Sequence, residues 1–257
     1  MRNGTFLTRV PGRGKAESRP VEDVVDFVKR RMHFEPDEAQ AAVLRSDAKR
    51  VLLACSRQWG KSTVASAKAV HRAYTRPGCL VLIASPGRRQ TEEFLAKIRE
   101  FTEEMGVRAR GHKMRVEMPN GSRIVGLPGI ATRVRGFSAA SLLMIDEAAY
   151  ASDALYKALR PTLATTGGDV WLMSTPNGRQ GFFYEAWEHG GERWMRMAVK
   201  ATECARIDKE FLEEEREEHG ADWVRQEYLC EFIDNGVGLF DREVVERAMV
   251  REIEPLF

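Results

Sequence analysis

Short apolar runs at residues 51–55, 79–85, 142–146 and 170–174 lack the polar alternation of a half-exposed sheet, so they read as strands buried on both faces. Helical patterns at 61–74, 88–104 and 153–159 lie among them, and this alternation predicts an α/β fold with a mostly parallel sheet flanked by helices. The stretch 114–127 differs: two short alternating runs flank Pro119-Asn120-Gly121-Ser122. Asn-Gly is the strongest two-residue hairpin signal, so a hairpin is expected before the strand that ends at Asp146. Past residue 200 the pattern turns helical, with helices expected at 208–219 (closed by Gly220), 221–232 and 241–251. Residues 1–20 mix glycine and proline with five arginines or lysines and offer little to bury, which predicts a flexible basic arm. The expected division is therefore an arm at 1–20, a core at 21–200 and a small helical subdomain at 201–257.

A chain of 257 residues is long enough to bury such a core without disulfide or metal staples. Its net charge is only +2, but residues 201–257 hold 17 acids against seven bases, which leaves +12 on the first 200 residues. A basic body suits nucleotide or DNA, and a merely solvated basic face accounts for it equally well. No apolar run reaches the roughly 20 residues of a membrane span and no secretory signal opens the chain, so a cytoplasmic location is expected. Cys55, Cys79, Cys204 and Cys230 lack zinc-ligand spacing and read as reduced, mostly buried thiols.

The sharpest local signal is Ser56-Arg57-Gln58-Trp59-Gly60-Lys61-Ser62-Thr63, placed directly after a strand and opening a helix. That is the setting of a phosphate-binding loop, in which helix N-terminal amides meet phosphate oxygens. Lys61 is then expected at the β- and γ-phosphates of ATP, Ser62 on Mg²⁺ and Thr63 near the α-phosphate. Cys55 stands where the first glycine of such loops is usual, so the context carries more weight than the motif. The second signal is Leu142-Leu143-Met144-Ile145-Asp146-Glu147. A buried parallel strand ending in paired acids delivers them to the edge where open α/β sheets bind ligands, with Asp146 to hold hydrated Mg²⁺ and Glu147 to activate water. A capping acid pair before the next helix is the plainer reading of that element alone.

Other segments fit around this pair. Ser174-Thr175-Pro176 ends a strand where a γ-phosphate is sensed, although a proline-started turn explains it as well. Gln40, behind Phe34 and Pro36, can pair a donor and an acceptor on adenine, or simply face solvent. Ser85-Pro86 with Arg88, Arg89 and Gln90 ends another strand and fits either a DNA backbone contact or a helix start with exposed charges. Arg133 and Arg135 are arginine-finger candidates, or ordinary loop residues.

Taken together, Phe34 to Gln40, Ser56-Arg57-Gln58 before Gly60-Lys61-Ser62, Arg135-Gly136 before Asp146-Glu147, and Ser174-Thr175-Pro176-Asn177-Gly178 resemble the large terminase subunits of tailed bacteriophages. Glu231-Phe232 to Val237-Gly238-Leu239-Phe240 is similar to that family's close of the ATPase region. The resemblance implies an ASCE-type P-loop ATPase with a small C-terminal helical lid, normally followed by an RNase H-like nuclease. It implies that Gln40 reads adenine, and that Arg57, Gln58, Gly60, Lys61, Ser62 and Thr63 form the nucleotide loop. Asp146 serves the metal, Glu147 and Arg135 are catalytic with Lys61, and Ser174, Thr175 and Pro176 couple hydrolysis to movement. Partners so implied are double-stranded viral DNA, a portal protein and a small terminase subunit, in a homo-oligomeric ring assembled from monomers on a procapsid in the host cytoplasm. No later strand-borne aspartates suit a two-metal nuclease, so ATPase and lid alone are expected. A helicase-like translocase shares most of these motifs but needs a second motor lobe. A nucleotide-gated DNA-binding module that does not hydrolyse ATP is the third reading.

Overall fold

The computed structural model describes residues 22–130, 136–204 and 206–234. Eight strands form one sheet in the order β3-β4-β5-β2-β6-β7-β1-β8. They are β1 Arg50–Cys55, β2 Leu80–Ala84, β3 Arg110–His112, β4 Arg115–Glu117, β5 Arg123–Leu127, β6 Ala140–Asp146, β7 Asp169–Ser174 and β8 Met195–Val199. Every pairing from β5 to β8 is parallel, and only β3–β4 and β4–β5 are antiparallel. β1 lies between β7 and β8, with Leu52 opposite Leu172 on one side and Arg196 on the other.

The interior strands are sandwiched as their unbroken apolar sequences require. Val51, Leu53, Val81, Ile83, Leu142, Met144, Trp171 and Met173 face one layer. There they meet α1 (Val24–Met32), α2 (Glu38–Arg45), α3 (Lys61–Thr75) and α4 (Arg88–Glu104). The alternate residues Leu52, Leu82, Leu143, Ile145 and Leu172 face α5 (Asp153–Leu159) and α6 (Gly181–His189). After β8, α7 (Lys209–His219) and α8 (Ala221–Glu227) close over Ala201, Leu212, Val224 and Tyr228 as a small cluster of their own.

The 114–127 hairpin forms, but it belongs to the main sheet, because β5 continues it by pairing in parallel with β2. Its turn holds Gly121 at φ 82° and places Asn120 Nδ2 on the Ala73 and Tyr74 carbonyls, which caps the end of α3. The helix expected at 221–232 stops at Glu227. Cys230 turns into the left-handed region, and Phe232 leaves to pack on Phe183, Tyr184 and Trp187 of α6. The structure adds α1, α2, α6, β3 and β8 to the expected elements. Cys55, Cys204 and Cys230 are buried, Cys79 is half-buried, and all four are free thiols. Among the described residues no helix is long and apolar enough to cross a membrane. The expected basic arm, the 241–251 helix, Val237-Gly238-Leu239-Phe240, and the finger candidates Arg133 and Arg135 lie outside the described residues.

Candidate active site

Parallel register brings the tips of β1, β6 and β7 together, with Ala54 beside Ser174 and Asp146 beside Met173. A cavity of about 770 Å³ opens at this edge and is lined by Ser56, Arg57, Gln58, Gly60, Lys61, Ser62, Thr63, Glu147 and Thr175. The loop after β1 is tied down by backbone bonds, Ser56 N–H to Val199 O at 2.9 Å and Arg57 N–H to Glu227 O at 3.2 Å. Gln58 and Gly60 both take positive φ, 64° and 96°. Glycine is needed at 60, since a Cβ there would also meet the Gln40 amide at 3.2 Å. α3 starts at Lys61, and Gly60 before it gives no side-chain cap, so its first-turn amides remain for an anion.

Lys61 Nζ donates to Glu147 Oε1 at 2.6 Å, and Ser174 Oγ donates to the other carboxylate oxygen at 3.3 Å. Burial disfavours the Lys61 charge, but Glu147 and then Asp146 outweigh it and raise the lysine pKa. Glu147 itself sits in the left-handed region at φ 50°, ψ 46°, a conformation that costs roughly 1–3 kcal/mol outside glycine. The kink turns the chain sharply off β6 and leaves the Glu147 carboxylate on Lys61 and Ser174.

Asp146 is buried at the strand tip. Ser62 Oγ donates to its Oδ2 at 3.3 Å, while Oδ1 has no partner. Burial pushes its pKa up to about 6 despite the nearby Lys61. An unpartnered buried carboxylate oxygen beside a serine hydroxyl is the hard-oxygen donor set that fits Mg²⁺, which takes one or two protein ligands and completes its shell with water and phosphate.

Gln40 is only 1% exposed, and both ends of its amide bond within the protein. Oε1 accepts from Asp37 N–H at 3.0 Å and Nε2 donates to Trp59 O at 2.9 Å. The residue thus braces the loop after β1 at Trp59, with one N–H and one oxygen lone pair beyond those bonds. Pro176 is buried beside Thr175, and neither Arg88 nor Arg89 lines the cavity, although Pro86 and Gln90 do.

A model of the N-terminal part of T4-like-virus-type large terminase subunits matches residues 52–247. The chain belongs to this terminase family. It is 26% identical to the terminase large subunit of Thermus phage G20c over 250 residues, covering 80% of this chain and 50% of that protein. It therefore spans about half the length of that relative. The fold matches the large terminase ATPase domain of Thermus phage P74-26, with a TM-score of 0.73 and 24% identity over 84% of this chain and all of that one. It also matches the large terminase of a thermophilic bacteriophage in complex with ADP, with a TM-score of 0.67 and 13% identity over 77% of this chain and 54% of that one. The class is a P-loop α/β fold of ASCE type with a small C-terminal helical unit.

In this terminase chain, α8 supplies residues that single motifs do not reveal. Glu227, 1% exposed, accepts from Arg57 Nε at 2.7 Å and from the Tyr150 hydroxyl at 3.0 Å. The Arg57 guanidinium lies 5.6 Å from the Trp223 ring centroid, and Gln226 accepts from Gly178 N–H at 3.2 Å. Only the acidic, helical character of that segment was a signal in the sequence. The pairing partners lie 77 and 170 residues away.

Proposed function

We propose that this chain is the Mg²⁺-dependent ATPase motor of a viral packaging machine that drives double-stranded DNA into a procapsid. The observation that carries this reading is the convergence of Lys61, Glu147 and Ser174, bonded together, and of Ser62 and Asp146, bonded to each other, at one sheet edge of a terminase fold. Lys61 and the uncapped amides at the start of α3 would receive the β- and γ-phosphates. Ser62 and Asp146 would hold Mg²⁺, whose chemistry is to neutralise charge building on the phosphate oxygens. A γ-phosphate that draws Lys61 away frees the Glu147 carboxylate, on the kinked turn, to orient a water and take its proton. Ser174, bonded to the same carboxylate, is placed to register that change, and Thr175 and Pro176 continue it into the loop that contacts α8.

Residues 201–257 act in this proposal as a lid. α8 touches the phosphate loop, the turn after Glu147 and the loop after β7 through Glu227 and Gln226. The basic balance of the first 200 residues suits the DNA backbone. Family membership supports a portal protein and a small terminase subunit as partners, and a ring in which Arg135 of one copy completes its neighbour's site, all in the host cytoplasm.

The test is Glu147→Gln, which keeps the side chain's shape and removes the base. Nucleotide binding should persist while steady-state phosphate release falls by about 10²–10⁴-fold. Release at the parent rate would place the base elsewhere, and parent protein that binds ATP but never releases phosphate would favour a nucleotide-gated module.

A further inference from the structure

α3 reaches a second cavity at its other end, about 360 Å³ in volume, where β1, β6 and β7 begin. Lys68 and Arg72 on α3 and Arg76 just past its end line it, and Lys49 lines it from the loop before β1. At 1.5 Å per residue, Arg72 stands about 16 Å along the helix from Lys61, so this is not an extension of the nucleotide cavity. The carboxylates that line it are Asp47 and Asp169, against four cations.

Two of the cations form a buried floor, Lys68 at 7% and Arg72 at 8% exposure. Arg72 is matched, pairing with Asp169 and donating to Ser141 O at 3.0 Å. Lys68 is not: among the described residues no carboxylate lies within ion-pair distance of it. It donates to Leu44 O at 2.6 Å and Ser46 O at 3.2 Å, and its ammonium lies 5.5 Å from the Trp171 ring centroid. Lys49 donates to Gly167 O at 3.3 Å, and the exposed Arg76 makes no ion pair among the described residues. A buried ammonium without an ion-pair contact is costly, even with Asp47 and Asp169 acting on it from farther away. Burial, and then repulsion from Arg72, lower the Lys68 pKa to about 8. Lys68, Arg72 and Lys49 each keep N–H groups beyond the bonds just named.

We propose that this cavity binds a dianionic phosphate group, either inorganic phosphate or a terminal phosphomonoester. Two carboxylates against four cations leave a net charge of two positive, which matches a dianion. An internal phosphodiester carries one charge and two bulky esters, and it suits a recessed floor poorly.

The experiment melts the Lys61→Ala protein, in which the phosphate loop has lost its ammonium, in phosphate and in chloride at matched ionic strength. Phosphate at ten times its Kd should raise Tm by roughly 2–5 °C. Adding Lys49→Glu and Arg76→Glu, both at exposed positions, should abolish the rise. Broadening of the inorganic phosphate ³¹P line by folded protein gives the same comparison if the reversed protein melts early. A short 5′-phosphorylated oligonucleotide that protects where its unphosphorylated twin does not would identify the source as a terminal phosphomonoester. Protection by inorganic phosphate alone would identify the free anion. No rise in Lys61→Ala, or a rise that survives the charge reversal, would overturn the proposal.

Discussion

Replacing Asp146 with asparagine should change stability in a way that depends on pH. Burial raises the Asp146 pKa from the ordinary 3.8 to about 6 in the folded chain. A carboxyl whose folded pKa is raised contributes stability fully below about pH 3.8 and loses it as pH climbs through about 6. Two pKa units correspond to about 3 kcal/mol, so near pH 8 the ionised Asp146 costs the metal-free fold about that much. Asparagine never ionises. It adds its own penalty, roughly 1–3 kcal/mol, because an amide put where Oδ1 has no partner is left unsatisfied, but that penalty does not vary with pH. The variant-minus-parent difference in unfolding free energy, from urea titrations in chelator, should therefore shift in the variant's favour by roughly 2 kcal/mol between pH 4.5 and pH 8. Mg²⁺ should stabilise the parent and not the variant, and the variant should lose Mg²⁺-dependent hydrolysis. A difference that stays flat with pH would refute the reasoning, because it would mean that Asp146 ionises in the fold as easily as in the unfolded chain.

Lys61→Ala should weaken ATP binding by about 10–100-fold, the loss of a charge-assisted contact. A calorimetric Kd equal to the parent's would remove Lys61 from the phosphates. Glu227→Ala cuts the ties to Arg57 and Tyr150, and with the Arg57 side chain 54% exposed the cost is about 1–2 kcal/mol. Amide exchange should quicken across α8 while β1 stays protected, and unchanged exchange in α8 would mean the contacts hold nothing in place. Gly129→Ala would push a Cβ to 2.2 Å from the Pro86 carbonyl oxygen and 2.7 Å from that of Ser85, an overpacking worth about 1–3 kcal/mol. A melting temperature like the parent's would show that this loop shifts freely.

The interior strands were legible because a strand buried on both faces must be apolar through its centre, and Val51–Cys55, Leu80–Ala84, Leu142–Ile145 and Val170–Met173 are. Lys61, Ser62, Asp146 and Glu147 were legible for a related reason, since polar groups directly after such runs have one place to emerge. β8 escaped because Met195, Arg196 and Met197 are half-buried and Ala198 is exposed, so no apolar run marks it. β3 is three exposed residues held only by β4. Gln40 was visible as a candidate, but its capping bond to Asp37 and its hold on Trp59 depend on where α2 packs, which local sequence does not encode. Glu227 and Tyr150 were invisible because neither sits in a motif and their meeting depends on α8 folding back over the sheet edge.

The position of β1 between β7 and β8 also dictates an order of events during synthesis. Arg50 pairs with Val170, and Val51 with Met195, so the strand that carries the phosphate loop has no sheet partner until well over a hundred further residues have left the ribosome. Ring-closure entropy of that span must be overcome before any ladder bond of β1 forms, which makes the pairing slow and leaves Val51, Leu52 and Leu53 exposed meanwhile. β2 has an earlier partner in β5, so a nascent chain can build the hairpin half of the sheet while the nucleotide half is still open. The nucleotide edge of the sheet is thus assembled late, and a nascent chain halted before Met195 would carry Lys61, Asp146 and Glu147 without the strand that ties down the loop after β1.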